Sequence, residues 1–153
     1  MKANESDESA DLKLADFLCF AVYSANLAFG KAYRPMLEKL GLTYTQYVTM
    51  VALSEEDGQT VGGLGEKLFL ESNTLTPILK KLEAMDYVER HRDPADERQV
   101  RVSLTEAGRR LREKSFDVDL LEACGLTAQG FTRLQKEIVQ LRNSLVNHTR
   151  GEA

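Results

Sequence analysis

The sequence predicts a mainly α-helical fold with one small β-hairpin. Apolar residues recur at helical spacing through most of the chain, two short helical segments are separated by only a few turn-forming residues, and one later segment alternates apolar and polar residues as a strand does. The 153 residues suit a single domain, and 42% hydrophobic with 29% charged residues is the composition of a globular chain.

The first predicted helix covers Leu12 to Phe29 and is apolar over most of its circumference. We expect such a helix to be buried on more than one side, as it would be in a dimer. Pro35 is expected to interrupt or kink this segment, and Gly41 to end it.

A capping box predicts the start of the second helix. The Thr43 hydroxyl and the Gln46 amide are spaced to satisfy each other's free backbone N–H groups. We expect this helix to run to about Glu56, where Asp57 and Gly58 form a turn.

Two short helices joined by a tight turn are predicted next. The first has an apolar face between Val61 and Leu68, and the second repeats apolar residues at i, i+3, i+4 and i+7 between Leu75 and Met85. Residues 71–73 are expected to supply the turn and a capping side chain for the second helix. This arrangement is a helix-turn-helix.

A β-hairpin follows the helix pair. Residues 87–92 and 98–104 are predicted strands, joined by the turn-rich segment 93–97. In the second strand Arg101 and Ser103 alternate with apolar residues, which indicates one wet face. A helix-turn-helix followed by a hairpin is a winged helix.

The rest of the chain predicts two further helices. One opens at Thr105 and extends to about Leu121, and the last begins at Thr127. The last helix carries a narrow apolar seam that suits pairing with another helix, which favours a dimer partner. The seam consists of Phe131, Leu134, Ile138, Leu141 and Leu145.

The second helix of the pair and the hairpin form a candidate DNA interface, since polar groups near a helix start can reach base edges and arginines at a hairpin tip suit the minor groove. The net charge is −4, yet residues 80–114 hold 10 Lys and Arg against 8 acids. A solvated charged surface is the alternative. Asp96 is placed to pair with Arg98, which favours Arg92 and Arg101 as hairpin contacts. The candidates are Ser72, Asn73, Thr74, Thr76, Pro77, Lys80, Lys81, Arg92, Arg98 and Arg101.

These elements predict a disordered, acidic tail over residues 1–10 and a single domain over 11–153. Within the domain, 11–42 and 105–150 are expected to be dimerisation helices. The segment between them, 43–104, is expected to be the DNA-binding winged helix-turn-helix.

Neither a metal nor another cofactor is expected. Cys19 and Cys124 lie 105 positions apart, whereas zinc sites use closely spaced pairs. The glycines of the segment 62–65 lack the Lys and Ser/Thr of a phosphate-binding loop, so they indicate a weak helix start or a close helix contact. From local sequence alone, Cys19 is a small buried hydrophobe and Cys124 an inert thiol between helices.

We expect a cytoplasmic protein with no membrane partner. The N-terminus is acidic rather than basic and then apolar, and the longest apolar run, residues 17–23, is far short of the roughly 20 residues that span a bilayer. In a reducing compartment the cysteines are expected to be free thiols or redox sensors rather than permanent disulfides.

One set of motifs consists of Leu64-Gly65-Glu66, Leu75 to Glu83, Asp96 to Val100 and Ser103 to Gly108. These motifs resemble the MarR family of dimeric winged-helix repressors, over nearly the whole chain after residue 11. A second set consists of Leu18 to Ala21, Tyr33-Arg34-Pro35, Leu42 to Tyr47 and Ser72 to Pro77. Within that family, this second set is similar to the organic hydroperoxide resistance regulators, OhrR, of the two-cysteine type.

The resemblance implies a homodimeric repressor that binds double-stranded, pseudo-palindromic operator DNA when reduced. It implies that an organic hydroperoxide oxidises Cys19, whose sulfur accepts hydrogen bonds from Tyr33 and Tyr44. It also implies that Cys124 of the other subunit captures the oxidised Cys19 as a disulfide, which releases the operator. A small thiol in place of Cys124 is the alternative for that last step.

Two other functions are compatible with the residues. One is a MarR-type repressor released by a phenolic or other small ligand, with Cys19 merely buried. The other is a thiol peroxidase, although Asp16 stands where peroxiredoxins have a threonine and such an enzyme needs no helix-turn-helix. We expect a regulator and not an enzyme.

Overall fold

A computed structural model describes residues 12–114 and 119–151, so the tail predicted over 1–10 lies outside the described residues. The chain divides into two compact units, Met1–Asp117 and Val118–Ala153. Over the described ranges the fold is mainly helical with one small antiparallel sheet, as the sequence predicts. None of the helices in these ranges is both long and apolar enough to cross a membrane.

The first helix, α1, spans Leu18–Leu40 and follows a short 3₁₀ helix at Leu14–Asp16. The start predicted at Leu12 is therefore wrong, because the chain makes that separate turn before α1 begins. The helix continues through Pro35, which does not end it. It stops at Gly41, whose φ of +68° is a left-handed conformation that glycine adopts without steric cost.

Most of α1 is exposed in the single chain. Met36 and Leu37 are its buried residues, near the C-terminal end. Within the first unit, the described residues thus bury α1 only near that end, and the burial on several sides that its apolar sequence predicts is not found there. The large apolar side chains left exposed on α1 are Leu18, Val22, Tyr23, Leu27 and Phe29.

The second helix, α2, spans Tyr44–Glu55 and begins with the predicted capping box. The Gln46 backbone N–H donates to Thr43 Oγ1 at 3.2 Å, and the Thr43 N–H donates to Gln46 Oε1 at 3.0 Å. A two-residue strand, β1 at Gln59–Thr60, follows the turn at Gly58 and was not predicted.

The helix-turn-helix consists of α3 at Val61–Leu68 and α4 at Ser72–Ala84. A β-carbon at Gly65 would lie 2.7 Å from the Leu70 carbonyl oxygen, so this glycine permits the close contact that the sequence indicated. The predicted capping side chain of α4 is wrong, because its N-cap residue, Glu71, makes no side-chain cap hydrogen bond.

The wing is an antiparallel hairpin of β2 at Val88–Arg92 and β3 at Val100–Leu104. The strand order is β1-β3-β2, so β3 is central. The wet face predicted for β3 is wrong at Ser103, which is 7% exposed, because α2, α3 and the following helix, α5 at Glu106–Glu113, contact this strand.

The core of the first unit lies between α2, α3, α4 and the sheet. Burying each leucine contributes about 1.5–3 kcal/mol relative to exposure, so this core fixes α4 against the wing. Its fully buried apolar residues include Met50, Leu53, Leu64, Leu75, Leu79, Leu82 and Val102.

The second unit contains α6 at Leu120–Cys124 and α7 at Ala128–Gly151. The single helix predicted from Thr105 to about Leu121 is wrong, since α5 ends at Glu113 and α6 begins anew; residues 115–118 lie outside the described ranges. The predicted last helix is confirmed. No residue of α7 is buried, and its apolar seam includes the exposed Leu134, Ile138 and Leu145.

Candidate functional site

The start of α4 presents most of the helix residues predicted to read DNA. Leu75, Leu79 and Leu82 hold one face of α4 in the core, so the opposite face turns outward. Thr76 is half-buried and donates its hydroxyl to the Ser72 carbonyl oxygen at 2.8 Å. The exposed candidates on this helix are Ser72, Asn73, Thr74, Pro77, Lys80 and Lys81.

The loop of the wing presents Arg98 most fully. Its side chain is 96% exposed, and its Nε lies 3.9 Å from Asp96 Oδ1, the pairing that the sequence predicts. The backbone N–H of Arg98 donates to the same carboxylate at 3.1 Å. Arg92 is also exposed, and its Nη1 donates to the Glu97 carbonyl oxygen at 2.8 Å.

Arg101 has two partners within the chain. Its Nε donates to Asp93 Oδ2 at 2.7 Å, and its Nη1 donates to the Gly58 carbonyl oxygen at 2.6 Å. The Asp93 side chain is 8% exposed. The pKa of Asp93 lies below its usual value because the Ala95 N–H and then Arg101 donate hydrogen bonds to the carboxylate.

A second arginine, Arg90, ties the wing to α4, and the sequence reasoning did not find this pairing. Its backbone N–H and its Nη2 donate to the Glu83 carboxylate at 3.1 and 3.0 Å. Hydrogen bonding from Arg90 lowers the pKa of Glu83. The seven-residue spacing crosses from a helix to a strand, so neither helical nor strand periodicity could have revealed it.

Helix and wing candidates meet in one cleft of about 360 Å³ between α4 and the hairpin. Ser72 and Thr76 line the cleft from the helix, and Arg90 and Arg98 line it from the wing. The exposed Arg98 side chain and the Ser72 hydroxyl on this concave surface can contact phosphates, whereas the Arg90 guanidinium is already paired with Glu83. The structure thus brings the two halves of the predicted interface together.

Cys19 is the second residue of α1 and is exposed in the single chain. Its apolar neighbours Phe17, Leu18 and Val22 are 42%, 62% and 37% exposed. The sulfur therefore lies on an open, apolar helix surface rather than in the core expected from periodicity. Among the described residues, no cluster of three or more His, Cys, Asp or Glu is arranged to hold a metal ion.

The two tyrosines predicted to donate to Cys19 lie together but far from it. The rings of Tyr33 and Tyr44 are 5.3 Å apart in an edge-to-face arrangement, and Tyr47 lies 6.1 Å from Tyr33. Cys19 and Tyr33 are 14 residues apart on the continuous helix α1, a rise of about 21 Å. One chain therefore cannot join Cys19 and Tyr33 by a hydrogen bond.

Cys124 is the last residue of α6 and is half-buried. The helix begins at a cap in which the Glu122 N–H donates to Asp119 Oδ1 at 3.1 Å. It ends at Gly125, whose φ is +62°. The connection in which the sequence placed Cys124 is therefore wrong, because this residue belongs to α6 and the connection to α7 begins only at Gly125.

Residues 31–114 match the family described as transcriptional regulator SarA/Rot, which is more than half of the chain. The organic hydroperoxide resistance transcriptional regulator of Bacillus subtilis (strain 168) is 44% identical over 107 residues, which are 70% of this chain and 73% of that relative. The chain belongs to the MarR family of winged-helix transcriptional regulators, in its OhrR branch.

Other proteins are similar to this chain over different lengths. The regulator TtmR of Methylorubrum extorquens (strain PA1) is 55% identical over 97 residues, which are 63% of this chain and 50% of that protein, so this chain spans about half the length of that relative. The structure of reduced AbfR bound to DNA is 34% identical in sequence to this chain. The match covers 87% of this chain and 95% of the AbfR chain, with a TM-score of 0.70.

AbfR, a protein of Staphylococcus epidermidis, has also been solved in a disulfide-formed state. That structure is 37% identical in sequence to this chain. The match covers 84% of this chain and 91% of the AbfR chain, with a TM-score of 0.60. The family and these relatives are transcriptional regulators rather than enzymes. The alternative of a thiol peroxidase is therefore wrong, and the prediction of a MarR-type regulator is confirmed.

Proposed function

We propose that this MarR-family chain is a homodimeric repressor of operator DNA that an organic hydroperoxide inactivates by oxidising Cys19. The observation that carries the proposal is the exposure of Cys19 on an apolar helix surface, in a chain 44% identical to a regulator of organic hydroperoxide resistance. An apolar approach to the sulfur favours an alkyl or fatty-acid hydroperoxide over hydrogen peroxide. The reducing cytoplasm expected from the sequence would keep the resting protein as a thiol.

In the proposed complex, the surface around the cleft between α4 and the hairpin contacts DNA. Two copies related by a two-fold axis would place their α4 helices in major grooves about one helical turn apart, with Asn73 and Thr74 near base edges. Lys80 and Lys81 would meet phosphates. Arg98, whose side chain is 96% exposed, would enter the flanking minor groove, with Arg92 beside it.

The sensing half requires a second copy of the chain. Because α1 separates Cys19 from Tyr33 by about 21 Å, the tyrosine hydroxyls that reach the sulfur belong to the other subunit. The exposed apolar side chains of α1 and α7 provide surface for that subunit. Each hydrogen bond from Tyr33 or Tyr44 to a thiolate contributes about 1.5–3 kcal/mol in favour of the ionised form.

The proposed chemistry has two steps. The Cys19 thiolate attacks the terminal peroxide oxygen, the O–O bond breaks, and the alkoxide leaves as an alcohol after it takes up a proton, which leaves a sulfenic acid. The Cys124 thiolate of the second copy then attacks that sulfur, so that an S–S bond forms, the S–O bond breaks, and the hydroxide leaves as water after it takes up a proton. A thiol reductant reverses the disulfide.

Disulfide formation is coupled to DNA release through helix packing. The two α-carbons must come within about 7 Å, and any movement of α1 that this needs is passed on, because α1 contacts α2 and α2 contacts α4. Since core packing is close, such a shift moves α4 as a body. The two recognition helices then lose the spacing that fits successive major grooves.

The sensor assignment is tested by Cys19→Ser in a gel-shift titration with cumene hydroperoxide. The probe is a duplex selected from a random pool by the reduced wild-type protein. We expect the wild-type complex to dissociate and the Cys19→Ser complex to persist. Dissociation of the Cys19→Ser complex at the same peroxide concentration would refute the assignment and favour a regulator released by a small ligand.

The role of Cys124 is tested by intact-mass analysis of peroxide-treated protein. Wild-type protein should give a cross-linked dimer that a dithiol reductant reverses, and Cys124→Ser should stop at one added oxygen atom. With a small thiol present, Cys124→Ser should instead form a mixed disulfide. A cross-linked dimer in Cys124→Ser would remove Cys124 from the scheme.

A further inference from the structure

We infer that Arg101 positions the wing, through Asp93 and the Gly58 carbonyl group, and does not itself contact DNA. The inference rests on the DNA-binding half of the proposed function and is independent of the redox chemistry. It assigns a different role to a residue that the sequence suggested as a DNA contact.

The Arg101 guanidinium is already occupied within the chain. Two of its nitrogens donate, at 2.7 Å to Asp93 and at 2.6 Å to the Gly58 carbonyl oxygen. The side chain of Arg101 is 40% exposed, against 96% for Arg98 in the same hairpin. Contact with a phosphate would require Arg101 to leave both partners.

Moving Arg101 away from Asp93 would be energetically unfavourable. The Asp93 side chain is 8% exposed, so the departure of Arg101 would leave a nearly buried carboxylate without its counter-charge. Removing the counter-charge of a shielded carboxylate is unfavourable, because the remaining charge is partly desolvated and uncompensated. The exposed Arg98 faces no comparable penalty on binding DNA.

Gly58, Arg101 and Asp93 come from three different parts of the fold. Gly58 lies in the turn between α2 and β1, Arg101 lies on β3 opposite Thr60, and Asp93 is the first residue after β2. Asp93 also accepts the Ala95 N–H at 2.9 Å, which shapes the start of the wing loop. Arg101 therefore fixes the base of the loop that carries Arg98 to the body of the unit.

The direction in which Asp93→Asn changes the affinity for DNA distinguishes a positioning role of Arg101 from direct contact with DNA. Asp93→Asn removes a negative charge near the DNA, so by electrostatics alone it would tighten binding, and it would free Arg101 for a phosphate. If Arg101 positions the wing, Asp93→Asn instead weakens binding to the selected duplex, by at least about fivefold. Glu97→Gln is the matched control, because it removes the same charge from an exposed position of the same loop. We expect it to bind as wild type or more tightly.

The salt dependence of binding gives an independent reading. Arg98→Gln removes a proposed DNA contact and should reduce the slope of log Kd against log salt by about one. Arg101→Gln should weaken binding while keeping the wild-type slope. Arg101→Lys keeps the charge but not the forked geometry that serves two partners, so it should weaken binding as Arg101→Gln does.

The inference is overturned by any of three results in variants whose circular dichroism matches wild type. These are binding by Asp93→Asn as tight as wild type or tighter, a slope for Arg101→Gln reduced like that of Arg98→Gln, and wild-type affinity in Arg101→Lys. Failure of the wild-type protein to select any duplex is a different outcome, which would refute the proposed function itself.

Discussion

The region proposed to read DNA and the region proposed to sense peroxide differ in how a single chain completes them. The reading region has its own core under α4, and the arginines at the base of its wing are paired within the chain. The sensing residues are dispersed: Cys19 lies on an exposed apolar surface, about 21 Å along α1 from Tyr33. A single chain thus builds the first region, whereas the second, as proposed, requires two chains.

The largest expected effect tests whether the reading region is stabilised within one chain. Leu82→Ala should lower the free energy of unfolding by about 2–5 kcal/mol, because Leu82 is fully buried and its truncation leaves a cavity. Urea unfolding followed by circular dichroism measures this. Leu27→Ala is the control: Leu27 is 50% exposed on α1, so dilute protein should unfold near the wild-type midpoint while its dimer association weakens. Equal destabilisation of dilute protein by both variants would contradict the comparison.

A smaller loss of stability is expected from crowding at the base of the wing. A β-carbon at Gly108 would lie 2.1 Å from the Tyr87 carbonyl oxygen, so Gly108→Ala must displace backbone at a cost of about 1–3 kcal/mol. Gly62→Ala provides the contrast, since nothing lies within 4 Å of that position in α3. We expect it to raise the free energy of unfolding by about 0.5–1 kcal/mol. Urea unfolding should therefore show a lower midpoint than wild type for Gly108→Ala and a higher midpoint for Gly62→Ala.

The sensing region should respond in reactivity rather than in stability. Tyr33→Phe and Tyr44→Phe each remove a proposed hydrogen bond of about 1.5–3 kcal/mol to the Cys19 thiolate. Oxidation by cumene hydroperoxide should slow by about tenfold or more in each variant, while the urea midpoint stays near wild type. Tyr23→Phe, on the exposed part of α1, should oxidise at the wild-type rate. Unchanged kinetics in both Tyr33→Phe and Tyr44→Phe would refute donation by these hydroxyls.

The smallest expected effect is the acid sensitivity of the wing. The folded-state pKa of Asp93 is lowered from an unfolded value of about 3.9, so the unfolded state binds more protons between the two values. The contribution of Asp93 to stability is therefore complete above about pH 5 and is lost as the pH falls through the folded-state pKa. Unfolding free energies of wild type should fall more steeply below pH 4 than those of Asp93→Asn, and parallel curves would contradict this.

Features that depend on neighbours in the sequence could be predicted. The Thr43 and Gln46 capping box, the two short helices and the hairpin each follow a local spacing, and each is present. The two-residue strand β1 is too short to show a period. The separation of α5 from α6 could not be predicted either, because the sequence between the two helices does not break the helical pattern.

The pairing of distant residues could not be predicted. Arg101 donates to Gly58, 43 positions earlier in the chain, and no spacing rule reports such a contact. The exposure of Cys19 was likewise hidden, since an apolar helix is expected to be buried and α1 is covered only near its C-terminal end. The roles of Tyr33, Tyr44 and Cys124 came from family resemblance and not from local pattern.

In the proposed mechanism, the length of α1 sets a concentration threshold for the regulator. Because the helix holds Cys19 beyond the reach of its own Tyr33, an isolated subunit would carry a thiol without those donors and a single recognition helix. On dilution below the dimer dissociation constant, sensitivity to peroxide and affinity for a two-fold operator would therefore be lost together. A cell that makes too little of the protein would lose repression and detection at the same point.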